Sequence, residues 1–475
     1  MVAATTSLVP TSSTGIGRRR NGARCLARVM LVTGAVAAAG CGPGENRPQS
    51  PSSTVLGAQT ADALRSESEV RETDIAFYKE RVERDPTGAT DLAQLASLYL
   101  QRSRETGDPN DAIRAEKASR LSLHNRTSRN NKAAQILASS LLSQHRFADA
   151  LVVARALSAR NPDLPTLRAA VGEIEMELGD YDAARESFRS VAGEVNDLSV
   201  LPRLARWAEI EGKPEEGEQL LRLSLARALR QRRLPREQLA WFWLRLGDVE
   251  LRSGRVDAAE SAYKSGLATH PGDYRILAAL AHLSAVRHRW KQAVSYGQDA
   301  IASSLDPATL GTLSDSYSAI GDTAAGAEYA RALDAAVLKQ PGAYHRAWSL
   351  FLLDHDRHVA TVTRKVRAEL QTRRDIYGYD LLAWALYKQH RGVDAEHAMA
   401  KALREGTVDA LLFYHAGMIE RSLGNTAAAR AQLTRALAVN PYFQTAAPDS
   451  ARAALATLTP VSRERVVASA RSERC

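Results

Sequence analysis

One phrase recurs about every 34 residues between Asn131 and Tyr442. It combines a pair of small residues in one helix, a Gly or a turn, a step like Asp-Ala-Ala in a second helix, and then Asn-Pro or His-Pro. A repeat of this length predicts a stack of helical hairpins, in which each hairpin buries its apolar face against its neighbours. Stacks of this kind usually bind other proteins rather than catalyse reactions.

The clearest copy of the phrase lies between Ala240 and Pro271. It contains an aromatic residue, a Gly that lets the partner helix come close, a small residue at the helix crossing, a second aromatic residue, and a Pro that ends the helix. These repeat markers are Trp243, Gly247, Ala259, Tyr263 and Pro271. The last copy carries the corresponding markers Gly417, Ala429 and Pro441.

This set of residues at this spacing resembles the tetratricopeptide repeat. The resemblance implies an all-α fold, an elongated α-solenoid wound as a right-handed superhelix of about nine to ten hairpins. Ala, Leu, Arg and Glu dominate the composition, and alternating β-branched runs are missing, which favours helices throughout. The predicted copies start near Asn131, Pro165, Leu198, Ala240, Tyr274, Pro307, Pro341, Ile376 and Ala410.

The rest of the chain is divided around these nine repeats, which cover residues 131–443. Residues 69–130 are predicted to form a helix over about 72–84 and a degenerate hairpin with a longer loop at 106–109. Residues 444–475 are predicted to form a capping helix over 450–458 and a frayed tail. One step between repeats is 42 residues long, and we expect the second helix of the Leu198 unit to continue as far as Pro235.

The amino terminus resembles a bacterial lipoprotein signal peptide. Five arginines precede an apolar run of 11 residues, which ends in Ala-Ala and is followed by Gly40 and Cys41. The resemblance implies that residues 1–40 are removed and that Cys41 is the lipidated first residue, a site of palmitate attachment. An organellar transit peptide is the alternative interpretation of the basic, acid-free start. Residues 41–68, rich in Gly, Pro, Ser and Gln, are predicted to be a flexible tether.

The predicted location is the bacterial cell envelope. Gly42 after the lipidated Cys resembles lipoproteins sorted to the outer membrane, facing the periplasm, more than those kept in the plasma membrane. The formal net charge is +9, but residues 1–40 hold five arginines and no acidic residue, so the remainder carries +4. This modest charge does not favour nucleic acid as a partner.

The sequence contains no motif for catalysis. It lacks a Gly-rich phosphate loop, His-Glu-x-x-His, Gly-x-Ser-x-Gly and paired cysteines, so we expect a protein that is not an enzyme and that needs no cofactor. The run from Asp354 to His358 combines carboxylate and imidazole groups, but a polar loop explains it better than a metal site. We therefore expect no metal ion.

Partner binding is predicted on the first helices of the hairpins, which line the concave groove of such stacks. The candidate residues combine aromatic rings with charges of both signs: Tyr377, Asp380, Trp384, Tyr387, Lys388, Tyr414 and Arg421. Ordinary packing between helices is the alternative for Trp384 and Tyr387.

The sequence as a whole predicts a membrane-tethered scaffold. It would hold a protein or peptide partner in envelope assembly, secretion or polymer export. A non-catalytic regulatory subunit, or an enzyme with an unrecognised site, is the alternative.

Overall fold

The computed structural model describes residues 53–194, 197–339 and 346–458. Within these ranges the backbone forms 22 α-helices and no β-strand. In chain order the helices are α1 (Ser53–Arg84), α2 (Ala89–Thr106), α3 (Pro109–Asn125), α4 (Asn131–Ser143), α5 (Phe147–Arg160), α6 (Pro165–Leu178), α7 (Tyr181–Arg189), α8 (Leu201–Ile210), α9 (Pro214–Ala228), α10 (Arg236–Arg252), α11 (Val256–Thr269), α12 (Tyr274–Val286), α13 (Trp290–Ser303), α14 (Pro307–Ala319), α15 (Thr323–Lys339), α16 (Arg346–Asp354), α17 (Val359–Glu369), α18 (Ile376–Lys388), α19 (Gly392–Ala402), α20 (Ala410–Ser422), α21 (Thr426–Val439) and α22 (Ala447–Thr457).

The helices from α2 to α21 pair in sequence as ten helical hairpins, with α1 before them and α22 after them. This arrangement is an α-solenoid, so the predicted fold class is confirmed. Several predicted repeat starts are the first residues of helices in the structure. These are Asn131, Pro165, Tyr274, Pro307, Ile376 and Ala410.

Local sequence explains where the helices begin and end. Several first helices are preceded by an Asp whose carboxylate accepts backbone N–H groups of the first turn; Asp409, for example, accepts the N–H of Leu411 at 2.8 Å. The first helix of several hairpins ends at a Gly in the left-handed region, such as Gly179 with φ of 78° and Gly424 with φ of 82°. These signals fix the length of each hairpin.

Small residues at the helix crossings allow the two helices of a hairpin to approach closely. A Cβ atom added to Gly247 in α10 would overlap the ring of Tyr263 in α11, and one added to Gly417 in α20 would lie 2.6 Å from Leu433 in α21. Ala259 and Ala429 are fully buried at the equivalent crossings. The repeat markers therefore specify close packing, as the sequence predicts.

The structure corrects the predicted boundaries in the amino-terminal region. Helix α1 begins at Ser53, inside the segment predicted to be a flexible tether, and it is far longer than the predicted helix over 72–84. Its Ala, Leu, Gln and Glu residues favour a helix although its apolar residues do not form a regular stripe. The loop between α2 and α3 contains only Gly107 and Asp108.

The predicted extension of the second helix in the Leu198 unit is wrong. Helix α9 ends at Ala228, residues 229–235 form turns, and α10 then begins at Arg236, four residues before the predicted repeat start. The additional length is therefore divided between a loop and the first turn of α10. Pro235 explains this division, because it disfavours a helical residue before it and suits a position just before a helix. Helix α22 spans Ala447–Thr457, close to the predicted capping helix.

Distant hairpins contact each other along a line that we call the seam. The turns within hairpins α6/α7, α8/α9 and α10/α11 carry glycines with positive φ, and these glycines lie against the loops that follow α17, α19 and α21. The pairs in contact are Gly179 with Arg374, Gly212 with Gly406, and Gly254 with Asn440. The solenoid therefore winds back onto itself, which the predicted elongated superhelix did not include.

Hydrogen bonds to the last carbonyl groups of three first helices hold the seam together. The backbone N–H of Arg374 donates to the carbonyl of Leu178 at 2.8 Å, Thr407 Oγ1 donates to Ile210 at 2.5 Å, and Asn440 Nδ2 donates to Leu251 at 2.8 Å. Carbonyl groups in the last turn of a helix have no partner within the helix. The seam satisfies them with groups from hairpins that are distant in sequence.

Candidate functional site

The concave side of the solenoid contains a cavity of about 870 Å³, which we call the arginine cavity. Its walls come mainly from the first helices of the hairpins, α6, α8 and α10 on one side of the seam and α16 and α18 on the other. Seven arginines line it: Arg104, Arg203, Arg206, Arg245, Arg252, Arg346 and Arg373. Four carboxylates line it as well: Glu173, Glu177, Glu237 and Asp409.

Two buried carboxylates outside the cavity lining form ion pairs with three of these arginines. Glu209, with only 8% of its surface exposed, accepts Arg252 Nη2 at 2.6 Å and Arg206 Nη1 at 3.3 Å. Asp380, which is fully buried, accepts Arg346 Nη2 at 2.6 Å. Since Glu209 and Asp380 do not themselves line the cavity, these ion pairs direct guanidinium groups toward it.

The charges of these partners keep both carboxylates ionised. Burial alone would raise the pKa of Glu209, but Arg252 and Arg206 outweigh it and lower the pKa. Burial likewise opposes ionisation of Asp380, but His415 and then Arg346 bring its pKa below the ordinary value. Conversely, Glu209 raises the pKa of Arg252 despite burial. Arg206, Arg252 and Arg346, whose pKa values are all raised, are therefore charged under ordinary conditions.

Tyr377 joins two arginines from hairpins distant in sequence. Its ring centroid lies 5.3 Å from the guanidinium carbon of Arg206 in α8 and 4.8 Å from that of Arg346 in α16. Both distances are within the range of cation–π attraction. The Tyr377 ring thus helps to position two charges in the wall of the arginine cavity.

A second cavity of about 1300 Å³, which we call the aromatic cavity, continues from the first. Arg252, Arg346 and Asp409 line both cavities, so the two share a boundary. The aromatic side chains of its wall are Trp290, Phe351, Trp384, Tyr387, Tyr414, Tyr442 and Phe443. Carboxylates outnumber arginine and lysine here, since Asp306, Asp315, Asp354, Asp409 and Asp449 face Arg252, Arg346 and Lys388.

Trp384 is the centre of the aromatic wall. Its ring stacks on Tyr387 with centroids 4.7 Å apart and on His415 with centroids 4.2 Å apart. Its Nε1–H donates to Asp354 Oδ1 at 2.8 Å. Burial raises the pKa of Asp354, although His415 and the hydrogen bond from Trp384 oppose that shift. The indole is thus fixed on both of its sides and at its polar edge.

The structure brings most of the predicted docking residues to the cavities. Trp384, Tyr387, Lys388 and Tyr414 line the aromatic cavity, and Tyr377 lines the arginine cavity. Trp384 nevertheless has only 3% of its surface exposed, so packing accounts for most of its environment.

Two predicted docking residues are placed elsewhere. Asp380 does not face outward as expected, because it is fully buried between Arg346 and His415, whose Nδ1 lies 2.6 Å from its Oδ1. Arg421 is exposed and lines neither of the two cavities. The patch expected from the sequence is therefore divided between a buried ion-pair network and the cavity walls.

The polar run from Asp354 to His358 is engaged with neighbouring side chains. His355 Nε2 lies 2.8 Å from Asp315 Oδ1, and Lys388 donates to Asp356 at 3.0 Å. The hydrogen bond to Asp315 raises the pKa of His355. In the described part of the chain, no three His, Cys, Asp or Glu side chains are grouped as ligands for a metal ion.

The arginine cavity is the feature that the sequence analysis missed. The arginines of the cavity come from separate hairpins, so they do not form a cluster in the sequence. A usable signal existed in the first helices, since Arg203 and Arg206, or Arg245 and Arg252, lie three and seven residues apart, on one helix face. Their side of the solenoid follows only once the hairpin register is known.

Cys41 and the whole predicted signal peptide lie outside the described residues, as does the chain beyond residue 458. None of the described helices combines the length and the apolar character needed to cross a lipid bilayer.

Tandem hairpins with small residues at their crossings define a helical-repeat protein of the α-solenoid class. Family models described as tetratricopeptide repeat match residues 137–198 and 240–283. The second match contains the copy in which the sequence markers are clearest. Both matches support a tetratricopeptide-repeat protein, a class that generally binds protein partners and is generally non-catalytic.

Several solved structures are similar to this chain at low identity. PilW, a type IV pilus biogenesis factor, is 19% identical with a TM-score of 0.37, over 45% of this chain and 96% of PilW. Yeast Tom70 is 10% identical with a TM-score of 0.34, over 88% of this chain and 98% of its own. The Cut9–Hcn1 structure is 13% identical with a TM-score of 0.31, over 84% of this chain and 96% of the matched chain. No curated protein matches the sequence significantly.

Proposed function

We propose that this protein is a membrane-tethered scaffold that binds a partner protein on its concave side. The observation that carries the proposal is the pair of connected cavities, whose walls come from the first helices of many hairpins. The walls include many aromatic and arginine side chains, and Trp, Tyr and Arg are the residue types most enriched where protein–protein binding energy is concentrated. A partner segment seated there would contact several hairpins at once.

The tether in this proposal is a lipid on Cys41. Support comes from the sequence alone, namely the order of arginines, apolar run and Ala-Ala-Gly-Cys. The anchor would place the scaffold in the bacterial cell envelope, on the outer membrane facing the periplasm. Envelope assembly, secretion and polymer export are the processes that such a scaffold would serve.

An affinity pull-down from detergent-solubilised envelopes tests the tether and the scaffold together. Tagged full-length protein and its Cys41→Ser variant are compared side by side. We expect a discrete envelope partner that is recovered with the lipidated protein and lost or depleted with the variant. Equal recovery would show that the anchor is not needed for binding, and recovery of nothing with either form would contradict the scaffold.

The role of the cavities is tested with one aromatic substitution inside and one outside. Tyr387→Ala removes a half-buried ring from the aromatic cavity, whereas Phe77→Ala removes a ring that is 50% exposed on α1 and lines neither cavity. We expect partner recovery to fall several-fold with Tyr387→Ala and to remain unchanged with Phe77→Ala, with equal helical content in both. Equal recovery with both variants would contradict binding on the concave side.

A further inference from the structure

We propose that the arginine cavity binds an acidic polypeptide segment, an extended stretch of the partner rich in Asp and Glu. This inference rests on the proposed function, because it specifies which chemistry a partner must offer to the concave side. It concerns the cavity lined by α6, α8, α10, α16 and α18 and not the aromatic cavity beside it.

The charge of the cavity wall favours an anionic ligand. Seven arginines line it against four carboxylates, and three of those carboxylates already have basic partners in the structure. Glu173 accepts Arg203 Nε at 2.7 Å, Glu237 accepts Arg275 Nη1 at 2.7 Å, and Glu177 accepts Arg373 Nη2 at 3.1 Å. Among the residues that line the cavity, positive charges therefore outnumber negative ones.

The arginines are held ready for binding. Because buried Glu209 and Asp380 fix the guanidiniums of Arg206, Arg252 and Arg346, these groups lose little conformational freedom when a ligand arrives. A guanidinium has five N–H donors, so one ion pair leaves others for a second carboxylate. Arg346 Nε is buried without a hydrogen-bond partner at the boundary of the two cavities, which is a donor left for a ligand.

The arginines also suit carboxylates in particular. A guanidinium binds a carboxylate through two parallel hydrogen bonds, which a lysine ammonium cannot do. All seven Lys or Arg side chains in the wall are arginines. Two carboxylates, Glu177 and Asp409, lie in the wall together with the arginines and would repel a continuous phosphate backbone. A peptide, in contrast, can place its own carboxylates only where arginines lie. An acidic peptide therefore fits the wall better than a nucleic acid does.

Fluorescence anisotropy with a labelled dodecaglutamate peptide and the full chain tests the proposal. The informative variant is the double substitution Arg203→Gln and Arg245→Gln, because their partners Glu173 and Asp248 keep 34% and 25% of their side chains exposed. Removing these arginines therefore leaves no fully buried charge unpaired. The matched control is the double substitution Arg84→Gln and Arg120→Gln. Both arginines form ion pairs outside the cavity, and their replacement lowers the net charge by the same amount.

We expect the peptide to bind, and the affinity to fall at least tenfold in the cavity variant and less than twofold in the control. Binding should weaken with added salt, and labelled dodecaglutamine and dodecalysine should not bind. Arg206→Lys, which keeps the charge but loses the bidentate geometry, should weaken binding without abolishing it.

Three results would overturn the proposal. They are equal binding by the cavity variant and the control, no binding of the acidic peptide, and tighter binding of a labelled twelve-nucleotide DNA strand at the same residues. The pull-down from envelopes separates this failure from failure of the scaffold itself. If the peptide experiment fails but a partner is still recovered from envelopes, and its recovery still depends on Tyr387, the scaffold stands and an acidic segment in the arginine cavity is excluded.

Discussion

The hydroxyl of Tyr181 accepts a hydrogen bond from the backbone N–H of Ile376 at 2.8 Å, across 195 residues of sequence. Tyr181 is the first residue of α7, and Ile376 is the first residue of α18. The first N–H groups of a helix have no partner within the helix, so the phenol satisfies one that is otherwise buried without a partner. Contacts of this kind along the seam bring hairpins that are distant in sequence together around the cavities of the concave side.

Replacing Tyr181 with Phe should destabilise the protein by about 1–3 kcal/mol, because a buried N–H loses its acceptor. The midpoint of urea unfolding, followed by circular dichroism, measures the change. Tyr442→Phe is a suitable control, since that side chain is 38% exposed. Equal midpoints for Tyr181→Phe and the wild type would show that the seam bond contributes nothing to stability.

A matched pair of glycine substitutions separates backbone strain from contact across the seam. Gly212 and Gly424 both have positive φ, 74° and 82°, so Ala at either position costs about 1 kcal/mol in strain. Only at Gly212 would the added methyl group overlap another hairpin, at the backbone of Gly406, whereas nothing lies within 4 Å at Gly424. We therefore expect Gly212→Ala alone to open the seam.

Small-angle X-ray scattering and hydrogen exchange measure that opening. Gly212→Ala should increase the radius of gyration and speed amide exchange near Gly406 and Thr407, while Gly424→Ala should leave both unchanged. If the two variants have the same radius and the same exchange pattern, the seam does not hold the solenoid closed in solution.

The close crossing of α10 and α11 at Gly247 predicts that a larger residue there destabilises the protein. Gly247→Ala places a methyl group into the ring of Tyr263, and overpacking of this kind costs about 1–3 kcal/mol. Gly193→Ala is the control, because a Cβ there meets nothing within 4 Å. Thermal unfolding should show a lower midpoint for Gly247→Ala only. A midpoint equal to that of the control would contradict the close approach of α10 and α11.

Asp273, whose carboxylate caps the first turn of α12, predicts a pH dependence of stability. Burial would raise the pKa of Asp273, but His270 and Arg275 outweigh it and hold the pKa well below its ordinary value near 3.8. A lowered carboxyl pKa stabilises the fold fully above the unfolded value, and the contribution is lost as the pH falls through the folded one. The stability gained from Asp273 should therefore be complete at neutral pH and decline below about pH 4.

Urea unfolding of the wild type and Asp273→Asn at several pH values tests this dependence. The difference between the two should be largest near neutral pH and should shrink as the pH falls below about 4. Asp257→Asn, at a side chain that is 86% exposed, serves as the control and should show little difference at any pH. A difference for Asp273→Asn that is constant with pH would contradict the ionised, paired state of this carboxylate.

The sequence was sufficient to predict the elements that depend on contacts within one hairpin or between neighbours. Gly247 and Ala259 mark a crossing 12 residues apart in sequence, and the pattern around them repeats, so the register of the α-solenoid could be read directly. Boundaries were less predictable where a local signal competed with the repeat, as at Pro235, which moves the start of α10.

The seam, and the way in which it brings arginines of distant hairpins into one cavity, could not be predicted from the sequence. The contact of Gly212 with Gly406 depends on the pitch of the whole solenoid, which results from small rotations summed over many hairpins. The same applies to Asp380, which looked outward-facing on α18 alone and is buried by Arg346 and His415 from other helices. Such residues acquire their environment only from hairpins that are distant in sequence.

Site-specific photocrosslinking in living cells tests the central claim, binding of a partner on the concave side, most directly. A photoreactive phenylalanine analogue replaces Trp241 in the arginine cavity, Tyr387 in the aromatic cavity or, as the control, Phe77 on α1. We predict a discrete crosslinked adduct from both cavity positions and none from position 77. Adducts from position 77 alone, or from none of the three, would contradict the claim.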